Sequence, residues 1–201
     1  MKKKRENTSM QKEINHRIRN NLNIVSSILG LQISSLKNGS VYKTADILKD
    51  SKLRIDAIAI VHNASHKSED FKKYVRELCD LIKITYNSDI EVEIRADKVE
   101  IELDIMLKIG LIITELLTNS LKYAFFHKEN KKNILITLKK NADNCLLTYL
   151  EKGCKIVDIN KIRQSKALGI RLIMLTLKQM KAHMNIKQNG GLIFTIDFKC
   201  A

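Results

Sequence analysis

The sequence predicts an α plus α/β protein, with an N-terminal helical hairpin followed by a domain whose helices cover one face of a sheet. Three observations lead there. Up to His66 the apolar residues recur at helical spacing; from Ile90 onward short segments alternate with period two; and strongly apolar helical stretches near Ile105 and Leu168 lie among those segments. With 201 residues, 44% hydrophobic, 7 Gly and no Pro, the chain can bury a sizeable core, and collagen-like, disordered and disulfide-scaffold classes are excluded.

The first helix is expected from about Thr8 to Leu36. Ile14, Ile18, Leu22, Val25, Leu29 and Leu36 form its apolar stripe, and Lys37-Asn38-Gly39-Ser40 ends it, with Gly39 suited to the left-handed closing residue. A second helix returns within Val41 to His66, where Leu48, Ile55, Ile58 and His62 keep helical steps. Two such helices bury their stripes poorly alone, so a second copy is expected to complete a dimeric four-helix bundle.

After His66 the pattern resumes in Phe71, Val75, Leu78 and Ile82, which places a domain boundary near Ser68: residues 1–67 form the hairpin and 68–201 the second domain. Ile90, Val92 and Ile94 alternate with charged residues as in a half-buried strand, and Val99 to Leu103 repeats the pattern briefly. Asp104 is placed to cap a helix over Ile105 to Phe126. Strands are expected at Ile134 to Leu138 and Cys145 to Leu150, a helix at Leu168 to Met180, and a final hairpin of Met184 to Lys187 with Ile193 to Phe198, turning at Asn189-Gly190-Gly191.

The net charge of +14 draws anionic partners without saying which. That charge and the HRIRNN helix admit a nucleic-acid-binding module, which is disfavoured because stacking aromatics are scarce and no nucleic-acid motif is present. Cys79, Cys145, Cys154 and Cys200 show neither metal-ligand spacing nor a paired pattern and read as reduced thiols of a cytoplasmic protein. No apolar run is long enough to span a membrane, and MKKKRENTS lacks a secretory core, so any membrane-bound or sensory part is expected on another chain or to have been lost from this one.

Two constellations carry chemistry. His16 lies about 200° round from Ile14 at roughly 100° per residue, outside the seam and on a face shared with Asn20, Asn23 and Ser27. On the apolar helix, Thr114, Glu115, Thr118, Asn119 and Lys122 form a narrow polar stripe. A carboxylate and an amide oxygen at i and i+4, with an ammonium one turn on, suit a hydrated Mg²⁺ that carries a polyphosphate.

Lys12 to Gln32, KEINHRIRNNLNIVSSILGLQ, resembles the phosphoacceptor box of the two-component sensor histidine kinases with a His-Arg-Val-Lys-Asn-type signature. Gly110 to Phe125, GLIITELLTNSLKYAF, resembles the N box of their ATPase domain. The resemblance implies a dimerisation and phosphoacceptor hairpin, followed by a Bergerat-type α/β sandwich that binds ATP and Mg²⁺. His16 matches the acceptor, with Arg17 and Arg19 near the anionic product, Asn20 near the ring and Glu13 one turn before it. Asn119 matches the Mg²⁺ ligand, Glu115 the residue for the metal's water shell or proton handling, and Lys122 a phosphate contact. Tyr123 stands where the family has histidine or tyrosine. The family's Asp-x-Gly-x-Gly adenine box corresponds to Glu151-Lys152-Gly153-Cys154-Lys155, which keeps Gly153, lengthens the carboxylate and replaces the second glycine. Gly169 matches a phosphate-approach glycine.

The function implied is autophosphorylation of His16 from ATP and transfer to an aspartate on a response-regulator receiver domain, with a separate sensor protein as a further partner. The altered adenine box leaves a second reading open, a phosphotransferase or scaffold on the same fold that no longer uses ATP.

Overall fold

The computed structural model describes residues 25–26, 29–30, 44–63, 69–124, 133–152 and 158–200. They fall into two compact units divided after Ser51. In the first unit, positions 25–26, 29–30 and 44–51 are helical. The first hairpin helix as a whole, and its turn at Lys37 to Ser40, lie outside the described residues.

Helix α1 (Thr44–Asn63) begins in the first unit and ends in the second. Leu53, Ala57, Ile58 and Val61 form its buried stripe. Helix α2 (Glu69–Tyr86) buries Phe71, Tyr74, Val75, Leu78 and Ile82 at helical spacing. Strand β1 (Glu91–Ala96) follows, then α3 (Leu103–Asn119), which runs into a π-helical turn at Ser120–Ala124. Beyond it come β2 (Asn133–Asn141), β3 (Asn144–Lys152), the short α4 (Ile159–Arg163), α5 (Leu168–Met180), β4 (His183–Gln188) and β5 (Gly191–Lys199).

The described strands form one sheet in the order β1-β2-β3-β5-β4. Strand β1 pairs parallel to β2 because α3 lies in the connection between them, and the other neighbours are antiparallel. The register lines up Ile136, Tyr149, Phe194 and Ile186 across four strands, and Leu138, Leu147 and Ile196 across three. These residues are buried while their neighbours along each strand are more exposed, so one face of the sheet is covered. Helix α3 packs between α2 and α5. Tyr74 of α2 leans on Gly110 of α3 so closely that a Cβ there would lie 1.6 Å from the tyrosine oxygen, and its hydroxyl donates to the Ala57 carbonyl of α1 at 3.3 Å. The second half of α1 is thereby tied to the helices that cover the sheet.

Three expectations are corrected. Val99 to Leu103 is not a strand, although Val99 and Ile101 are buried. The β1–β2 ladder ends at Ala96 and Leu138, the Asp97 amide bonds the Leu138 carbonyl, and the Asp97 carboxylate takes the Lys140 amide of β2, which runs on to Asn141 without further pairing to this segment. Asp104 does not cap α3. The helix begins at Leu103 after Glu102, and the Asp104 carboxylate instead takes the Lys108 ammonium one turn on, at 2.5 Å. Finally, Cys145 and Cys200 are joined in a disulfide. Their separation of 55 residues concealed a pairing that register creates, since Cys145 stands opposite Phe198 and the Cys200 amide bonds the Asp143 carbonyl. Cys79 remains a buried thiol, pushed up to about 12 by burial above all. Cys154 lies outside the described residues.

Candidate nucleotide site

Helix α3 is buried from Met106 onward on almost every side, which leaves little room for polar groups that lack a task. Two of its polar residues satisfy themselves locally. Thr114 donates to the Gly110 carbonyl and Thr118 to the Thr114 carbonyl, each at 2.8 Å. The polar stripe thus narrows to Glu115 and Asn119, one turn apart, with Lys122 beyond them.

Glu115 is 2% exposed. Arg54 of α1 holds it side-on: Nε donates to Oε1 at 2.5 Å and Nη2 to Oε2 at 2.9 Å. A carboxylate removed from water needs such a counter-charge, and the planar fork fixes its orientation as well. Gly169, in the first turn of α5, lies against the same carboxylate. A Cβ on Gly169 would sit 2.5 Å from Oε2 of Glu115 and 3.5 Å from the amide nitrogen of Asn119. The structure therefore brings together Glu115, Asn119 and Gly169, which are distant in sequence. Asn119 is half-buried at the point where α3 gives way to the π turn, a distortion of the ladder often met at functional sites.

Lys122 and Tyr123 lie on that turn. The Lys122 ammonium stands over the Tyr86 ring, 5.8 Å from its centroid, and Tyr123 is exposed. The next residue of the turn leads to a different network. Ser120 is buried, and its hydroxyl lies 2.5 Å from Oε1 of Glu151, 2.7 Å from the Tyr149 hydroxyl and 2.8 Å from the Leu116 carbonyl. Glu151 is 3% exposed, and burial pushes its carboxyl up to about 7 against the opposing hydrogen bond from Ser120. Tyr149 is raised well above its ordinary range, chiefly by burial and then by the nearby Glu151. The Glu151 carboxyl group is thus kept inside the fold, tied by Ser120 to the turn that follows α3.

His16, Glu13, Arg17, Arg19 and Asn20 lie outside the described residues, as does Gly153. The reading from the sequence missed Arg54, Ser120 and Tyr149. For Arg54 a signal existed: an arginine one position after Leu53, on the stripe that continues to Ala57, Ile58 and Val61, is unusual enough to imply a buried acid elsewhere.

Comparisons with known proteins bear on the relatives and the fold of this chain. Residues 13–86 match the family model described as histidine kinase. The chain is 26% identical over 168 residues to the sensor histidine kinase PdtaS of Mycobacterium tuberculosis, covering 81% of this chain and 33% of that protein. It is 24% identical over 196 residues to blue-light-activated histidine kinase 2 of Erythrobacter litoralis, covering 92% of this chain and 55% of that protein. The chain thus spans between a third and about half of the curated relatives it matches. Among solved structures, a blue-light activated histidine kinase of Erythrobacter litoralis superposes with a TM-score of 0.72 at 19% identity, over 92% of this chain and 63% of that one. The histidine kinase AdeS of Acinetobacter baumannii gives 0.53 at 13% identity, over 92% and 98%. At these identities the structural likeness speaks for the fold, helices with a five-stranded sheet as in histidine-kinase domains. The chain is a homologue of sensor histidine kinases, and its residues 13–86 carry the match to the histidine-kinase family.

Proposed function

We propose that the protein is a two-component histidine kinase that phosphorylates its own His16 from ATP and passes the phosphoryl group to an aspartate of a response-regulator receiver domain. The observation that carries this reading is the convergence of Glu115, Asn119 and Gly169 in one place, on a chain whose family match includes His16. Neutral imidazole, with an ordinary pKa near 6.5, is a competent nucleophile at neutral pH. Its nitrogen would attack the γ-phosphorus while the bond to the bridging oxygen breaks and ADP leaves.

The residues present fit a nucleotide carrying Mg²⁺. Asn119 is the half-buried amide that would hold the metal, and the absent side chain of Gly169 lets the first turn of α5 approach Glu115 and Asn119 closely. Mg²⁺, when bound, would offset the charge of the polyphosphate. Glu115 orders this end of the site, Lys122 and Tyr123 lie on the turn beyond it, and Glu151 with Gly153 is assigned to the base. Glu13, Arg17, Arg19 and Asn20 are assigned to the surroundings of His16. The reading includes a hairpin over residues 1–67, an ATPase-like domain over 68–201, a homodimer, a separate sensor protein and a cytoplasmic location. Among the described residues no helix is long and apolar enough to cross a membrane.

The test is incubation with γ-labelled ATP and Mg²⁺, wild type beside His16→Ala. Acid-labile label on the wild type alone is the expected result. Absence of label, together with label accepted from a phosphorylated receiver domain, would instead establish the phosphotransferase reading.

A further inference from the structure

Arg54 and Glu115 are joined more elaborately than stability requires. Their side chains are 4% and 3% exposed. Burying both charges costs several kcal/mol per ion, and apolar residues of similar volume commonly serve stability as well or better. The stripe on which Arg54 sits is otherwise Leu53, Ala57, Ile58 and Val61, so an apolar residue would suit it. What the pair achieves is orientation. Both carboxylate oxygens are taken by one rigid fork, Gly169 lies close against Oε2, and the Asn119 amide nitrogen lies near the same glycine. The fork itself rests on a fixed element, because the Ala57 carbonyl, one turn along α1, receives the Tyr74 hydroxyl.

We propose that Arg54 is a positioning residue of the nucleotide site: by fixing the plane of the Glu115 carboxylate beside Asn119, it sets the site's preference for metal-bound over metal-free nucleotide. The proposal rests on the nucleotide reading above. It places a determinant of that site on α1, within the segment that the sequence assigns to the hairpin. Arg54 acts through Glu115 and needs no contact with the ligand. A lysine at position 54 would retain the charge but could not engage both oxygens in the plane of the carboxylate.

The test compares wild type, Arg54→Lys, Glu115→Asp and the double variant, each of which keeps the pair of opposite charges. Calorimetry measures ATP affinity with Mg²⁺ and with EDTA, and thermal unfolding is followed alongside. Each single variant should lose about tenfold in affinity for Mg-ATP, with metal-free ATP affinity within about twofold of wild type, the scale at which supporting partners of metal sites act. The double variant should lose no more than the worse single one, because both changes interrupt the same link. An Arg54→Lys protein with the wild-type ratio of the two affinities, whatever its melting temperature, overturns the proposal, as does a double variant showing the product of both losses. A wild type that binds no Mg-ATP overturns the nucleotide reading and this proposal together, so the two failures are told apart by the wild type alone.

Discussion

The Ser120 hydroxyl stands 2.5 Å from a carboxylate oxygen of Glu151, and its single hydrogen has more than one claimant. The Leu116 carbonyl oxygen lies 2.8 Å from the Ser120 hydroxyl oxygen. If Glu151 is ionised, Ser120 can serve the carboxylate only by withdrawing from Leu116; a neutral Glu151 brings its own hydrogen and relieves the conflict. This agrees with a carboxyl pushed up to about 7 by burial.

That relationship sets a pH dependence. The folded protein holds the Glu151 proton more tightly than the unfolded chain, so the contribution to stability is fully present below the ordinary 4.5 and is lost as pH rises through about 7. The loss is on the order of 3 kcal/mol. Glu151→Gln should remove it: the variant's melting temperature relative to wild type should rise between pH 5 and pH 8. Parallel pH profiles for the two proteins would refute the assignment.

Removing one partner of the buried ion pair should cost far more than replacing both. Arg54→Met leaves Glu115 without its counter-charge and should destabilise by about 3–5 kcal/mol, whereas Arg54→Met combined with Glu115→Leu should recover most of that loss. Urea unfolding of the two variants measures both quantities. A double variant as unstable as the single one would mean that the helices need the ions themselves.

Gly169→Ala should be felt through Glu115. The added methyl would lie 2.5 Å from Oε2, and Arg54 prevents the carboxylate from swinging aside. A loss of about 1–3 kcal/mol is expected, as for other overpacked sites. Glu115→Ala in the Gly169→Ala background should abolish that increment in a thermal-melt cycle, and additive losses would place the clash elsewhere.

The Cys145–Cys200 link closes a separation of 55 residues, for which chain entropy alone gives up to about 4 kcal/mol. Thiol titration of the denatured, unreduced protein should find two reactive thiols among the four cysteines, and four after reduction. Reduction should also lower the melting temperature. Four thiols without reductant would show that the pair is open under those conditions.

Helices α2, α3 and α5 were legible because their apolar residues recur at helical spacing, and β2, β3 and the last hairpin because theirs alternate. Val99 to Leu103 alternates equally well and is still not a strand, because alternation reports a half-buried segment and says nothing of whether the chain stays in register with its neighbour. The convergence of Glu115 with Asn119 was visible as an i, i+4 pair, and Gly169 joined them only by resemblance. Arg54 was lost for a different reason. A long-range ion pair leaves no periodic trace, and only the misplaced charge on an apolar stripe hints at it. The same holds for Cys145 and Cys200, whose proximity depends on strand register.

The tie between Ala57 and Tyr74, with the stripe of Leu53, Ala57 and Val61 beneath it, bears on how this protein can be cut for study. A fragment beginning at Ser68 would strip that stripe from the helical layer, leaving raw apolar surface and an orphaned acid at Glu115, both of which invite aggregation in the test tube. One beginning near Lys52 would carry its own cover. The place where the periodicity pauses is therefore a poor place for the scissors.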